Sequence, residues 1–486
     1  MLALVIHPSH PVIKPVERED TQMTLHVDVT LCNGADRMLV RPRRPNKRTV
    51  RGIVVGLALF GIASAARAEV PKMPTIEGPI TGPGEMHPGM RFGPEGTNPD
   101  DFGYVAEEYF ASGTAGPSNA PYKVRVLVRR PKVRTRHINL AKQVNVVVYE
   151  PTHRGGNALI FQFARYGLLQ HGYIGVTVSA RAINLVNQAT PTAGLKQFNP
   201  DRYGSLQVTD DQTNDILAQI AWMMKHRARN SPLRKTVGKV VMIMGGTSDS
   251  SNATRNYMAD GHPTYRRPDG GPIVDGFFVS ATLGSSPVEI TDVPTIQLPT
   301  QFELNAGNAW RRPDSDMPGN RFRIFEIAGM SHNDSRDQPA SVFPGCGEPL
   351  SRFPYGAMTF MGLNWVIKWA VYGIKPPHAN PTEVDAGPPR QLVFDQFGNV
   401  KGGVRTPHLD VPVYHYVLPN VGPGLCSQTG RQEKLPEQVL RTLYPTKWHY
   451  RAKFLANLTK FTLKGFWPKE YTELYAIKDM LEFSYD

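Results

Sequence analysis

Residues Val237–Met244 read VGKVVMIM, with Val240–Met244 apolar on consecutive positions, and run straight into Gly245-Gly246-Thr247-Ser248. Strand side chains point alternately to two faces, so a strand that is apolar on both must be covered on both. A one-sided antiparallel sheet is excluded at this point. The pattern recurs in Asn145–Tyr149 (NVVVY) and Ile174–Val178 (IGVTV), and Ile273–Ser280, Thr295–Pro299 and Arg323–Ile327 supply three further strands. Tyr104–Phe110 and Tyr122–Arg129 read as two earlier strands, rich in Val, Tyr and Phe. Asp211–His226 places Ile216, Ile220 and Met223/Met224 on one face at helical spacing. Strands alternating with helices predict an α/β protein with a mostly parallel central sheet covered by helices on both faces.

Such sheets carry their sites at the carboxyl ends of strands. After the most apolar strand comes Gly246-Thr247-Ser248-Asp249-Ser250. This G-x-S-x-S differs by one residue from the G-x-S-x-G turn that holds a nucleophilic serine in a strained backbone, where the residue two before the serine must be small. A plain Gly/Ser-rich turn capping a helix is the competing reading. Chain order favours the nucleophile, since acid and base follow it after later strands, as the triad arrangement requires. Glu303 follows the Thr295–Pro299 strand as its end residue and is the expected acid, with Asp292, Asp314 and Asp316 as alternatives. His332 follows the last strand in a Gly-bearing loop and is the expected base.

An oxyanion needs backbone N–H donors. Asp249, the first residue after the serine, offers one. The loop Arg154-Gly155-Gly156, after the NVVVY strand, is the expected source of the other. An ordinary strand-to-helix turn fits the same residues. His153 and Arg154 can instead meet an acidic part of a substrate. The segment 182–206 and the aromatics Phe343, Phe353, Tyr355, Phe360 and Trp365 are candidates for a pocket wall, with core packing as the alternative for the aromatics.

The chain has 486 residues and a formal charge of +13. Residues 41–51 are strongly basic, Ile53–Ala65 is a short apolar stretch, and Ala66-Arg67-Ala68 follows. A basic region, a short apolar core and an A-x-A site describe a secretory signal peptide over residues 38–68. Residues 1–37 then read as a start-site artefact ahead of Met38. The protein is expected to be exported, periplasmic or extracellular. Residues 69–100 form a Pro/Gly-rich arm, and residues 101–486 a single domain. Without residues 1–68 the charge falls to +8.

Beyond residue 68 the one basic block is Arg129–Arg136, read as a solvated strand end with an anionic partner site as the alternative, and no Lys/Arg run there interleaves with aromatics. Nucleic acid is therefore not an expected partner. No apolar run of about 20 residues exists, so stable membrane insertion is not expected. Beyond the leader, Cys346 and Cys426 remain. An oxidising compartment permits their disulfide, but sequence does not bring their Cα atoms into range.

The stretches EYFASGTA, NVVVYEPTHRGGN, FNPDRYGSLQV, GGTSDSSNATR, VPTIQLPTQFE, EIAGMSHND and DQFGNVKGGVRTPHLDVPVYHY, in that order, resemble the α/β-hydrolase superfamily. More narrowly, the chain resembles exported bacterial "alpha/beta hydrolase domain-containing" proteins. The resemblance implies an α/β-hydrolase fold with insertions and a C-terminal extension. It implies a nucleophile at Ser248, an acid at Glu303 and a base at His332. Asp249 stands where relatives often carry Gln, and Gln301 and Glu303 where they tend to carry Glu and Asp. The expected activity is a serine hydrolase cleaving a carboxylic ester, small or oligomeric, with no metal or organic cofactor. The alternatives are a catalytically inactive binding protein of the same fold, and an amidase or peptidase using the same triad.

Overall fold

The computed structural model describes residues 68–90, 92–132, 144–236, 238–282, 286–305, 311–387 and 391–486. All of the expected leader but its last residue, Ala68, and the Arg134/Arg136 end of the basic block lie outside the described residues.

Among the described residues, one sheet holds ten strands. They are β1 (Thr75–Glu77), β2 (Tyr104–Ala115), β3 (Ala120–Pro131), β4 (Val144–Pro151), β5 (Ile174–Val178), β6 (Lys239–Thr247), β7 (Gly276–Ser280), β8 (Thr295–Leu298), β9 (Ser315–Met317) and β10 (Asn320–Ile324). Their spatial order is β1-β2-β3-β5-β4-β6-β7-β8-β10-β9. β5, β4, β6, β7, β8 and β10 run parallel, while the β1–β3 edge and β9 are antiparallel. The helices used below are α1 (Leu159–Phe163), α2 (Thr213–His226), α3 (Asp249–Asn256), α4 (Gln301–Asn305), α5 (Tyr355–Tyr372) and α6 (Lys447–Leu463).

The consecutive apolar residues of β6 divide between two cores. Val241 and Ile243 join Val146, Val148, Phe278 and Ile296 beneath α1 and α5. Met242 and Met244 join Val147, Tyr149, Phe277 and Val279 beneath α2, whose Ile216, Ile220, Met223 and Met224 are buried. This two-sided covering is what the unbroken apolar strand demands.

Several boundaries move. β2 and β3 extend beyond the expected strands into a twelve-residue antiparallel pair, and β10 begins at Asn320 instead of Arg323. The Pro/Gly-rich arm is tied down: β1 pairs with β2, and Arg125 donates to the His87 carbonyl. Beneath it Glu108 is fully buried, accepting from Arg125, from Arg202 at 2.6 Å and from the Tyr203 hydroxyl at 2.8 Å. Arg129 is not the solvated residue expected of the basic block. It is buried over the Phe161 ring and donates to the Pro88 carbonyl.

Phe343, Phe353, Tyr355 and Phe360 are buried, and Trp365 packs against the core while donating to the Gly465 carbonyl at 2.7 Å. These aromatics lie in the interior, Phe353, Tyr355, Phe360 and Trp365 in or against the core that α5 covers, and do not line an open pocket. Cys346 and Cys426 are bonded, with Cα atoms 5.2 Å apart.

Candidate active site

Ser248 stands between the end of β6 and the start of α3 with φ 60° and ψ −128°. Non-glycine residues rarely occupy this region, and strain of this kind persists only where its surroundings enforce it. The surroundings here are specific. A Cβ on Gly246 would collide with the backbone of Ser250 and Ser251, so only glycine fits two residues before the serine. Ser250, in the position where the usual motif has glycine, braces the turn with its side chain. Its Oγ accepts from the Thr247 N–H at 3.0 Å and donates to the Thr247 carbonyl at 2.9 Å.

The Ser248 hydroxyl donates to His332 Nε2 at 2.8 Å, and His332 Nδ1 donates to Glu303 Oε1 at 2.5 Å. His332 is 2 % exposed and Glu303 0 %. Glu303 does not end a strand, as expected, but sits in the first turn of α4. There its second oxygen accepts from the Thr300 N–H and hydroxyl, both at 2.7 Å. The His332 loop is fixed from two sides: the Tyr355 hydroxyl donates to the His332 carbonyl at 2.9 Å, and Gln301 accepts from the Gly329 N–H at 2.7 Å. The alternative acids are engaged elsewhere. Asp292 pairs with His262 and Arg266, Asp314 with His378, and Asp316 with Arg323.

Asp249 turns its carboxylate onto Arg181 at 2.7 Å and accepts the Arg154 N–H at 2.9 Å. Burial alone would raise this carboxyl. The Arg181 hydrogen bond and charge outweigh it and hold the group below its ordinary range.

The loop after β4 differs from its expected role. The Arg154 N–H goes to Asp249, the Gly155 N–H to His153 Nδ1 at 2.9 Å, and the Gly156 N–H to the His153 carbonyl at 2.8 Å. None of the three is left for an oxyanion. The donors are consumed because the loop closes tightly on itself and on the first residue of α3. The same bonds define His153. Its Nδ1 accepts, so its neutral ring carries the proton on Nε2. Burial first, then the nearby cationic side chains, lower its pKa to about 4 despite Asp249, so the ring is neutral near pH 7. Asn184 holds the His153 carbonyl at 3.2 Å and Asn187 the Arg154 carbonyl at 2.8 Å.

Arg181, Thr300 and the Asn184/Asn187 pair were not singled out from sequence, and Tyr355, expected as a pocket-wall or core aromatic, instead holds the His332 carbonyl. Arg181 alone carried a signal, as a charged residue three positions beyond the end of β5. Beside the loop lies a cavity of about 640 Å³ lined by Arg154, Ile183, Leu185, Val186, Lys196 and Val208. It is built mainly by the 182–206 segment.

A strained serine after the central strand, with a buried acid and a histidine supplied after later parallel strands, is the architecture of the α/β hydrolases. The family described as "Alpha/beta hydrolase domain" matches residues 76–475, and the chain belongs to that family. No curated protein matches the chain. Among solved structures, it is similar to a ferulic acid esterase from Streptomyces cinnamoneus, at 12 % identity and a TM-score of 0.35, over 57 % of this chain and 92 % of that one. It is also similar to a thermostable carboxyl esterase from Bacillus coagulans, at 12 % identity and a TM-score of 0.22, over 37 % of this chain and 46 % of that one.

Proposed function

We propose that the protein is an exported serine hydrolase that cleaves carboxylic esters, with Ser248 as nucleophile, His332 as base and Glu303 as acid. The observation that carries this reading is the unbroken hydrogen-bonded line from Ser248 through His332 to Glu303. His332 Nε2 takes the Ser248 proton as Oγ attacks the ester carbonyl carbon. The buried Glu303 carboxylate stabilises the imidazolium that forms. Collapse of the tetrahedral intermediate breaks the ester C–O bond, and the leaving alkoxide receives the proton from His332. Water, deprotonated by His332, then attacks the acyl-enzyme, and Ser248 leaves with that proton as the acid departs.

The developing oxyanion is met by the Asp249 N–H at the start of α3 and by the His153 Nε2–H, in place of the loop N–H groups. A neutral imidazole suits that task because it donates without carrying a charge of its own to the ground state. The inactive-protein reading was motivated by the Asp249 carboxylate beside the nucleophile and by Ser250 in place of the second glycine. The turn of Asp249 onto Arg181 and the bonds by which Ser250 braces Thr247 speak against it. The cavity at the 182–206 segment is our place for the acyl or alcohol group. Export is supported by the leader pattern of residues 38–68 and by the Cys346–Cys426 disulfide, which suits an oxidising compartment.

The test is a series of p-nitrophenyl esters of increasing chain length with fluorophosphonate labelling of the wild type and Ser248→Ala. Hydrolysis and labelling of the wild type alone are expected. An unlabelled wild type ends the serine-hydrolase reading, and labelling that survives Ser248→Ala ends the nucleophile assignment. Turnover of anilides instead of esters moves the assignment to an amidase.

A further inference from the structure

From Gln438 to Lys469 the chain carries seven basic side chains and no acidic one. These cations are spaced two to seven residues apart and form no run, so they do not stand out in the linear sequence as the Arg129–Arg136 block does. They nevertheless account for almost all of the +8 surplus beyond residue 68. Aromatic residues interleave with them.

Folding into α6 sorts this segment. Tyr450, Phe454, Leu458 and Phe461 face inward and are buried. Trp448, Leu455 and Leu463, spaced i, i+7 and i+15, share the opposite side. They are 71 %, 41 % and 84 % exposed. Lys453, Lys460 and Lys464, at i, i+7 and i+11, form a row along one flank, and Lys447 and Arg451 lie along the other. Lys453 leans back over the Tyr444 ring and donates to the Leu443 carbonyl. Among the described residues, Lys447, Lys460 and Lys464 make no ion pair. Asp410 meets Asn457, and Asp479 faces the buried Tyr450, both on sides of the helix away from the stripe.

An exposed Trp and two exposed Leu in line, bordered by cations, are the pattern of a helix that lies in a lipid interface. We propose that α6 docks the protein peripherally on an anionic membrane surface. Trp448, Leu455 and Leu463 enter the boundary between headgroups and acyl chains, and the flanking cations meet acidic headgroups. Charge complementarity selects this occupant over a second copy of the chain, which would set two basic faces together. No helix among the described residues is long and apolar enough to cross a membrane, so α6 attaches along the surface.

The experiment is co-sedimentation of the full chain with vesicles of phosphatidylcholine alone and of phosphatidylcholine mixed with phosphatidylglycerol. Binding to the mixed vesicles only, weakened by salt, is expected, with a blue shift of tryptophan emission. Trp448→Ser/Leu455→Ser/Leu463→Ser and Lys453→Glu/Lys460→Glu/Lys464→Glu should each weaken binding at least about tenfold, with melting temperatures unchanged. Trp448→Phe should keep binding and lose most of the spectral shift. Equal binding to both vesicle types, or binding that survives both triple substitutions, overturns the proposal. A dimer that the apolar triple substitution dissolves, without vesicle binding, assigns the face to a second copy and also overturns it.

Discussion

Arg181 draws the Asp249 carboxylate to itself: the two side chains meet at 2.7 Å, and Asp249 in turn holds the Arg154 N–H. A carboxylate one residue from the serine would otherwise oppose an oxyanion forming there. On the proposed mechanism, removing Arg181 leaves a half-buried anion beside Ser248. Arg181→Ala should therefore lower kcat about tenfold or more, the order of one lost charge-assisted bond. Without Arg181 the Asp249 carboxyl regains a higher pKa, so the loss should deepen as pH rises and the carboxylate ionises. Arg181→Ala/Asp249→Asn should recover much of the rate. A double variant no faster than the single, in kcat measured across pH, refutes this role.

Glu303 contributes geometry as well as charge. Its Oε2 is held by Thr300 while Oε1 meets His332, so the His332 tautomer with the proton on Nδ1 is the one favoured. Glu303→Gln keeps the shape, but its amide can present an N–H to Nδ1 and favour the wrong tautomer. The expected loss in kcat is about 10³- to 10⁴-fold with KM little changed. Glu303→Asp shortens the reach and should fall between the two. Steady-state kinetics on one ester checks both.

His153 is argued to donate its Nε2–H to the oxyanion. His153→Ala should lower kcat about 10²- to 10³-fold with a small change in KM, the size expected for one lost donor. His153→Gln, which keeps a side-chain N–H, should recover part of it. A structural role alone would instead appear as a lower melting temperature with the same kcat in the folded fraction. The fluorophosphonate labelling rate separates the two outcomes.

The strands were readable because β4, β5 and β6 are apolar on consecutive positions, and only a doubly covered sheet accommodates that. Gly246 and Ser248 were readable because the turn admits so few residue types. The choice of Glu303 over Asp292, Asp314 and Asp316 depends on which carboxylate reaches His332, a tertiary distance that chain order does not contain. The 154–156 loop failed for a related reason. A glycine-bearing loop advertises free N–H groups, but their use by His153 and Asp249 is settled only when the loop closes. Phe353 and Phe360 show the same limit, since an aromatic residue suits a core and a pocket wall equally well. The α6 cations were hidden because their alignment exists only at helical spacing.

Glu150, at the end of β4 just before the His153 loop, is fully buried and accepts the Ile160 N–H at 3.0 Å. Burial pushes its pKa up to about 8, against the pull of the α1 N–H groups and of Arg129. The folded value lies above the ordinary glutamate value of 4.5, so the native state holds a proton there that the unfolded chain releases. That contribution to stability is present below about 4.5 and is lost as pH rises toward about 8. The melting temperature should accordingly carry a downward component across this window. Glu150→Gln mimics the protonated form, accepts the same N–H and should flatten that component, with the largest gain over wild type at the alkaline end. Parallel melting curves for the two proteins, measured across the window, would show that Glu150 is already ionised in the native state.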